Sequence, residues 1–265
     1  MFTPKELTRY SRNIFLDEIG RVGQELLKKA RVGIIGTGGL GSPVLLYLAA
    51  SGVGNITLID SDVVELTNLQ RQILFNTKDL KKSKSKTAHL RLSELNPEIN
   101  IVSHETRLCR TNIQELLSGH DIILEGSDNF ETKFLVNDFC FFQKIPLIVA
   151  GILRFDGQVL GILPETGFCY RCIFPEIPSS GLIPSCAEAG VLGSVAGVIG
   201  SLQATECLKF LIGAKETIMG KLLQVDLRQI EFRKLLIKKN PNCKLCGENR
   251  TIMDLSIHPE FDVNC

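Results

Sequence analysis

Two cysteine pairs stand at metal-site spacing: Cys169 with Cys172, and Cys243 with Cys246. Four thiolates in two CxxC knuckles satisfy a closed tetrahedral zinc site. Their separation along the chain means that such a metal staples the middle of the chain to its end, a structural role. Zinc-finger peptides gain roughly 10–16 kcal/mol from sites of this kind. A redox reading of either pair needs only one CxxC, so the presence of two favours the metal.

A second group of residues surrounds the glycine-rich run Gly36-Thr37-Gly38-Gly39-Leu40-Gly41. Gly36, Gly38, Gly39 and Gly41 let backbone amides approach a polyphosphate at a helix N-terminus, where the dipole is positive. Asp60 ends the next strand-like run and is placed to accept hydrogen bonds from ribose hydroxyls. These features say nucleotide, and NAD fits them as well as ATP. The block Asn68-Leu69-Gln70-Arg71-Gln72 favours ATP. A nicotinamide enzyme has little use for an asparagine, an arginine and then Lys81, Lys82, Lys84 and Lys86 around its phosphates. Breaking an α–β phosphate bond, by contrast, calls for cations on the leaving pyrophosphate. The lysine run taken alone reads better as a solvated basic helix face.

Asp128 follows the apolar run DIILE and the small pair Gly126-Ser127. Ligands bind at the carboxyl ends of strands in open α/β sheets. A carboxylate there either holds Mg²⁺ against phosphates or caps the helix beginning near Phe130, and spacing leaves both open. Cys186 lies beyond a proline-rich passage, in Pro184-Ser185-Cys186-Ala187-Glu188, at the expected start of a long small-residue helix (about 188–212). A thiol near a helix N-terminus has a lowered pKa and can act as a nucleophile; the alternative is a small residue that merely starts the helix. Cys109, Cys140 and Cys207 read as packing residues, and the four histidines form no ligand pattern.

The elements that must position these groups alternate. Strands are expected at 31–35, 55–59, 99–103, 121–125 and 146–150, with helices at 40–51, 84–95, 112–117 and 130–142, after two short polar helices in 4–29. That order predicts an α/β fold with a Rossmann-like, mostly parallel sheet. Beyond Gly151 the grammar changes to a hairpin turning at Asp156-Gly157, a proline-rich crossover, the small-residue helix, and strands near 221–226 and 229–237. The expectation is one domain over 1–265: a nucleotide-binding half (about 30–150) and a second half (about 151–265) of antiparallel strands carrying the cysteine knuckles.

A net charge of +1 gives no electrostatic case for nucleic acid or a membrane surface, and 44% hydrophobic with 22% charged residues is an ordinary globular balance. The opening MFTPKELTRYSRNIF has no uninterrupted apolar core flanked by a cleavage site, so no secretory leader is expected, and the 9 cysteines are an odd number. Metal ligands and thiols in a reducing cytoplasm are therefore expected, not disulfides.

Seven motifs occur in the order found in the MoeB/ThiF family: RYSR (Arg9 to Arg12), GTGGLG, DSDVVELTNLQRQ, SDN (Ser127 to Asn129), CYRC, CAEAGV and CKLC. The chain resembles that family from about Arg9 to Cys246. The resemblance implies an enzyme that uses ATP to adenylate the C-terminal Gly-Gly carboxylate of a ubiquitin-like sulfur-carrier protein. It further implies that Asp60 holds the ribose, that Asn68, Gln70, Arg71 and Lys84 belong to the nucleotide site, and that Asp128 holds magnesium. Arg12 is similar to an arginine donated across a homodimer interface to the neighbour's nucleotide. Cys186 is similar to a cysteine that holds the activated carrier or its sulfur, which a separate donor supplies. One departure concerns Lys81, because the family usually has a glycine three residues before its phosphate lysine; Lys82 and Lys86 therefore remain alternatives to Lys84. An NAD-dependent oxidoreductase and a non-catalytic scaffold subunit of an activating enzyme are the rival readings.

Overall fold

The computed structural model describes residues 2–164, 167–178 and 189–259. Three short helices, α1 (Pro4–Arg9), α2 (Ser11–Ile14) and α3 (Gly20–Lys29), precede the sheet. One more helix forms here than the sequence predicts, because Tyr10 interrupts the first segment. Then follow β1 (Arg31–Ile35), α4 (Gly41–Ala50), β2 (Asn55–Ile59), α5 (Lys84–Leu95), β3 (Asn100–His104), α6 (Ile113–Leu117), β4 (Ile122–Glu125) and α7 (Phe130–Gln143). The chain continues through β5 (Leu147–Leu153), β6 (Asp156–Ile162), α8 (Gly193–Leu211), β7 (Lys221–Asp226) and β8 (Glu231–Leu236).

All eight strands form one sheet in the order β3-β2-β1-β4-β5-β6-β7-β8. The strands from β3 through β5 are parallel, and β5 to β8 pair antiparallel. The central parallel strands β1, β4 and β5 are largely apolar on both faces because helices cover both. Val32, Ile34, Leu124 and Ile148 face a core shared with α4 and α8. Ile35, Ile123, Leu147 and Val149 face a core shared with α6 and α7. Chain order reverses between β2 and β4 around β1, so the carboxyl ends of β1 and β4 splay a crevice between them. The glycine loop and the Ser127–Asn129 turn hang over that crevice.

Two expectations are corrected. The hairpin turns at Arg154-Phe155, not at Asp156-Gly157: Leu153 pairs with Asp156, and Arg154 takes φ +55°. Asp156 and Gly157 are already in β6, where their backbones pair with both neighbours, so an Asp-Gly turn signal was overridden by strand pairing. The small-residue helix begins at Gly193, well after Cys186. Cys186 itself, like Pro184 and Cys265, lies outside the described residues. No described helix is long and apolar enough to cross a membrane.

Candidate functional site

The loop after β1 is built for backbone approach. Gly36 sits at φ +85°, and a Cβ on Gly41 would lie 2.0 Å from the Gly36 carbonyl oxygen. The first turn of α4 is therefore folded onto the loop more tightly than any side chain permits. Gly36, Gly38 and Gly39 line a cleft of about 1230 Å³. Gly41 packs beneath them and does not line it.

Asp60, at the end of β2, lines the same cleft. Its Oδ2 accepts the N–H of Thr37 at 2.8 Å and the Thr37 hydroxyl at 2.9 Å, and its Oδ1 accepts the N–H of Asp62 at 2.9 Å. Burial pushes the Asp60 carboxyl above its ordinary value, against the pull of Lys84 and of the Thr37 and Asp62 amides. Lys84 begins α5 and is almost wholly buried, its Nζ donating to Asp62 Oδ2 at 2.8 Å at the cleft wall. Lys82 pairs instead with Asp79 at 3.4 Å and Lys86 with Glu105 at 2.5 Å, and neither lines the cleft. Of these three lysines, Lys84 is the one the fold brings to the cleft.

Arg71 lines the cleft, its Nη1 donating to the Thr67 carbonyl at 3.1 Å. Asn68 and Gln70 do not. Asn68 is buried and its backbone carbonyl accepts the N–H groups of Arg71 and Gln72; Gln70 is exposed and reaches toward the Val191 carbonyl at 3.5 Å. The neighbour that does line the cleft is Gln72, whose Oε1 is buried with no hydrogen-bond partner among the described residues. The signal for it was its place beside Arg71 in the same block.

Asp128 is exposed at the cleft wall. The helix cap belongs to Asn129, whose Oδ1 accepts the Thr132 N–H at 2.8 Å, which leaves the Asp128 carboxylate outside that task. Lys133 lines the cleft too and ion-pairs with the buried Glu125; sequence reading missed both. A glutamate closing a buried apolar strand was the available sign, since such a charge must find a partner. Arg12 does not reach this chain's cleft; it is exposed on α2, 5.8 Å from the Phe15 ring.

The far wall of the cleft comes from the antiparallel strands, with Asp156, Gln158, Gln224, Asp226, Glu231 and Arg233 among its lining residues. Small-ligand sites usually measure about 300–1,000 Å³, so this cleft has room for a nucleotide and an extended peptide together.

Away from the cleft, the four sulfurs of Cys169, Cys172, Cys243 and Cys246 lie within 4.8 Å of one another. Cys169 and Cys243 are 3.6 Å apart, Cys172 and Cys246 3.3 Å, with no disulfide. Zinc–sulfur bonds of about 2.3 Å in a tetrahedron put sulfurs roughly 3.8 Å apart, so the donor set fits that ion. The Asn240 N–H points at Cys172 Sγ at 3.4 Å, a contact that favours a thiolate. Hydrogen bonding from Cys169 pulls Cys243 down to about 6. Cys109, Cys140 and Cys207 are buried in the core as expected. Beside the cluster, Arg171 forks onto Asp138 at 2.8 and 2.7 Å, and His258 Nε2 meets the same carboxylate at 2.8 Å. The end of the described chain is thereby tied to α7, a role sequence reading gave to no histidine.

Comparison with known proteins agrees with this geometry. A sulfur carrier protein adenylyltransferase of Thermus thermophilus is 43% identical over 265 residues, covering 98% of each chain. The SAMP-activating enzyme E1 of Haloferax volcanii is 43% identical over 243 residues, 92% of this chain and 90% of that one. Among solved structures, E. coli MccB with ATP superposes with a TM-score of 0.79 at 29% identity, over 91% of this chain and 75% of that one. The sequence pattern described as the ThiF family matches residues 10–245. By its glycine loop, its NLQRQ block and that match over most of its length, the chain belongs to the ThiF family.

Proposed function

We propose that this protein uses MgATP to adenylate the C-terminal glycine carboxylate of a ubiquitin-like sulfur-carrier protein, preparing it for thiocarboxylate formation. The observation that supports this best is the cleft, where a glycine loop, Asp60, Arg71, Lys84 and Asp128 share a space large enough for a nucleotide and an extended peptide. A sulfur carrier protein adenylyltransferase that matches nearly end to end supplies the substrate class, and a SAMP-activating enzyme E1 of similar coverage accompanies it.

In this reading a carboxylate oxygen of the carrier attacks the α-phosphorus, and the bond to pyrophosphate breaks. The products are the carrier acyl-adenylate and pyrophosphate. No general base is needed, because the nucleophile is already ionised; positioning and charge neutralisation supply the rate. The glycine loop cradles the phosphates, Asp60 takes the ribose, and Arg71 and Lys84 neutralise the leaving group. Asp128 is the residue that would hold Mg²⁺, whose charge screens the phosphate oxygens. The four cysteines hold zinc as a structural staple.

Two such subunits form a homodimer in which Arg12 serves the neighbour's cleft, consistent with its absence from the lining of its own. Cys186 assists sulfur transfer after adenylation, with a separate protein as sulfur donor. Cys186→Ser then keeps adenylation and slows thiocarboxylate formation; an unchanged thiocarboxylate rate would remove the cysteine from the scheme. The direct test of the function is intact-mass spectrometry of a Gly-Gly-ending carrier incubated with enzyme and MgATP. An acyl-adenylate on that carrier, and none on one lacking its last glycine, is the expected result. No adduct on any carrier of this type would overturn the proposal.

A further inference from the structure

Glu125 is fully buried, the charged end of a strand whose other residues are Ile122, Ile123 and Leu124. It faces α7, where the Nζ of Lys133 donates both to Glu125 Oε2 and, at 2.8 Å, to the Ala150 carbonyl of β5. The other carboxylate oxygen, Oε1, accepts the Ser127 N–H at 2.8 Å and the Ser127 hydroxyl. From α8, Gln203 Nε2 donates to the Glu125 backbone carbonyl at 3.1 Å. Glu125 thus grips the backbone of the residue immediately before Asp128, and is itself held by side chains from α7 and α8.

A buried ion pair is weak evidence of stabilisation, since apolar residues of similar volume often do as well. Apolar residues, however, offer no acceptor for the Ser127 N–H. That turn also abuts the phosphate loop: a Cβ on Gly36 would lie 3.2 Å from the Ser127 nitrogen. A shift of the turn therefore moves Asp128 relative to the glycines that face it across the cleft.

We propose that Glu125, charge-balanced by Lys133, is a positioning residue that fixes the Asp128 carboxylate for its cation, so that the pair governs use of the metal and not affinity for the nucleotide. This rests on the reading of Asp128 as the Mg²⁺ ligand. Misplacement of a reacting group by about 1 Å can cost on the order of 100-fold, and a displaced carboxylate is partly compensated by more cation.

The test is a free-Mg²⁺ titration of carrier-dependent ATP–pyrophosphate exchange. Removing the Glu125 carboxylate alone strands the Lys133 charge and threatens folding, so the main variant is Glu125→Leu with Lys133→Met, which takes away the acceptor for the Ser127 N–H while keeping charge balance, its fold checked by circular dichroism. Its half-saturating Mg²⁺ is expected to rise about tenfold or more, while its calorimetric Kd for ATP in EDTA stays within about twofold of wild type. Lys133→Arg, which keeps the charge, is expected to keep the wild-type metal dependence. A folded double variant with wild-type metal dependence overturns the proposal, and so does one that loses metal-free ATP affinity to the same degree. Should the double variant not fold, Ser127→Ala, which deletes only the hydroxyl contact, is expected to shift the titration in the same direction by about threefold, and no shift overturns the proposal. Asp128→Asn run alongside separates the layers. If it exchanges with wild-type metal dependence, the reading of Asp128 itself fails; if it is lost while the double variant titrates normally, only the positioning role fails.

Discussion

Asp60 Oδ2 accepts both the backbone N–H and the hydroxyl of Thr37, at 2.8 and 2.9 Å. The end of β2 is thereby locked to the glycine loop after β1, and these two parts of the cleft wall are held in register. Cost is spread among partners in the same way at Lys84–Asp62 and at Glu125–Lys133.

Lys81 sits at φ +66° in the turn that leads to Lys84, its N–H donating to the Val64 carbonyl at 2.8 Å. The left-handed region costs a residue with a Cβ about 1–2 kcal/mol, which explains why a glycine suits this place. Lys81→Gly is expected to be neutral or to stabilise by up to about 1 kcal/mol, after the loss of chain entropy that glycine brings. Lys81→Val is expected to destabilise by more than about 1 kcal/mol. Urea titration of both variants checks the sign; a destabilised glycine variant would contradict it.

Asp138 gives a pH dependence. Burial would raise its carboxyl, but the hydrogen bonds with His258 and Arg171 outweigh burial and hold it below the ordinary 3.8. A depressed carboxyl contributes stability above its unfolded value, and that contribution is lost as pH falls through the folded one. Wild-type melting temperature is therefore expected to fall below about pH 4, and Asp138→Asn to lower it at neutral pH while flattening that fall. Parallel melting curves for the two proteins between neutral and acid pH make the comparison.

Much of this was legible in the sequence, and the losses share one cause. The parallel strands and their helices announce themselves through local apolar periodicity, and the glycine loop and cysteine pairs through spacing. Glu125 with Lys133, and Asp138 with Arg171 and His258, are contacts between separate elements, and His258 lies far along the chain from Asp138. Nothing local marks them beyond a charge in an apolar run. The Asp156-Gly157 signal failed for a related reason: strand pairing on both sides outweighed a two-residue turn preference. Asn129 took the cap that spacing left open to Asp128 because its side chain, one residue nearer the helix, reaches the Thr132 N–H.

The zinc reading predicts one zinc per chain by elemental analysis. Cys243→Ser, which removes one of the four clustered sulfurs, is expected to lower the melting temperature by more than about 10 °C, since such a site contributes many kcal/mol. The Kd for ATP measured below that transition should hold, because the cluster does not line the cleft. A metal-free protein with unchanged melting would refute the staple.

Arg12 and Asp128 give a complementation test of the dimer. Mixed dimers of Arg12→Ala and Asp128→Ala subunits contain one cleft with both groups intact if Arg12 acts across the interface. Partial recovery of exchange, toward about half the wild-type rate per mixed dimer, is expected once subunit exchange is verified. No recovery would place Arg12 outside the neighbour's site.

Arg71 and Asp128 line one cleft with the glycine loop, and in the proposed reaction their charges act at the phosphates. The most direct measurement is carrier-dependent ATP–pyrophosphate exchange in Arg71→Ala and Asp128→Ala, with fold integrity confirmed by circular dichroism. Each variant is predicted to lose at least about 100-fold, the scale of removing one electrostatic contact to a developing charge. Exchange near the wild-type rate in either variant would contradict the assignment of that residue to the reaction.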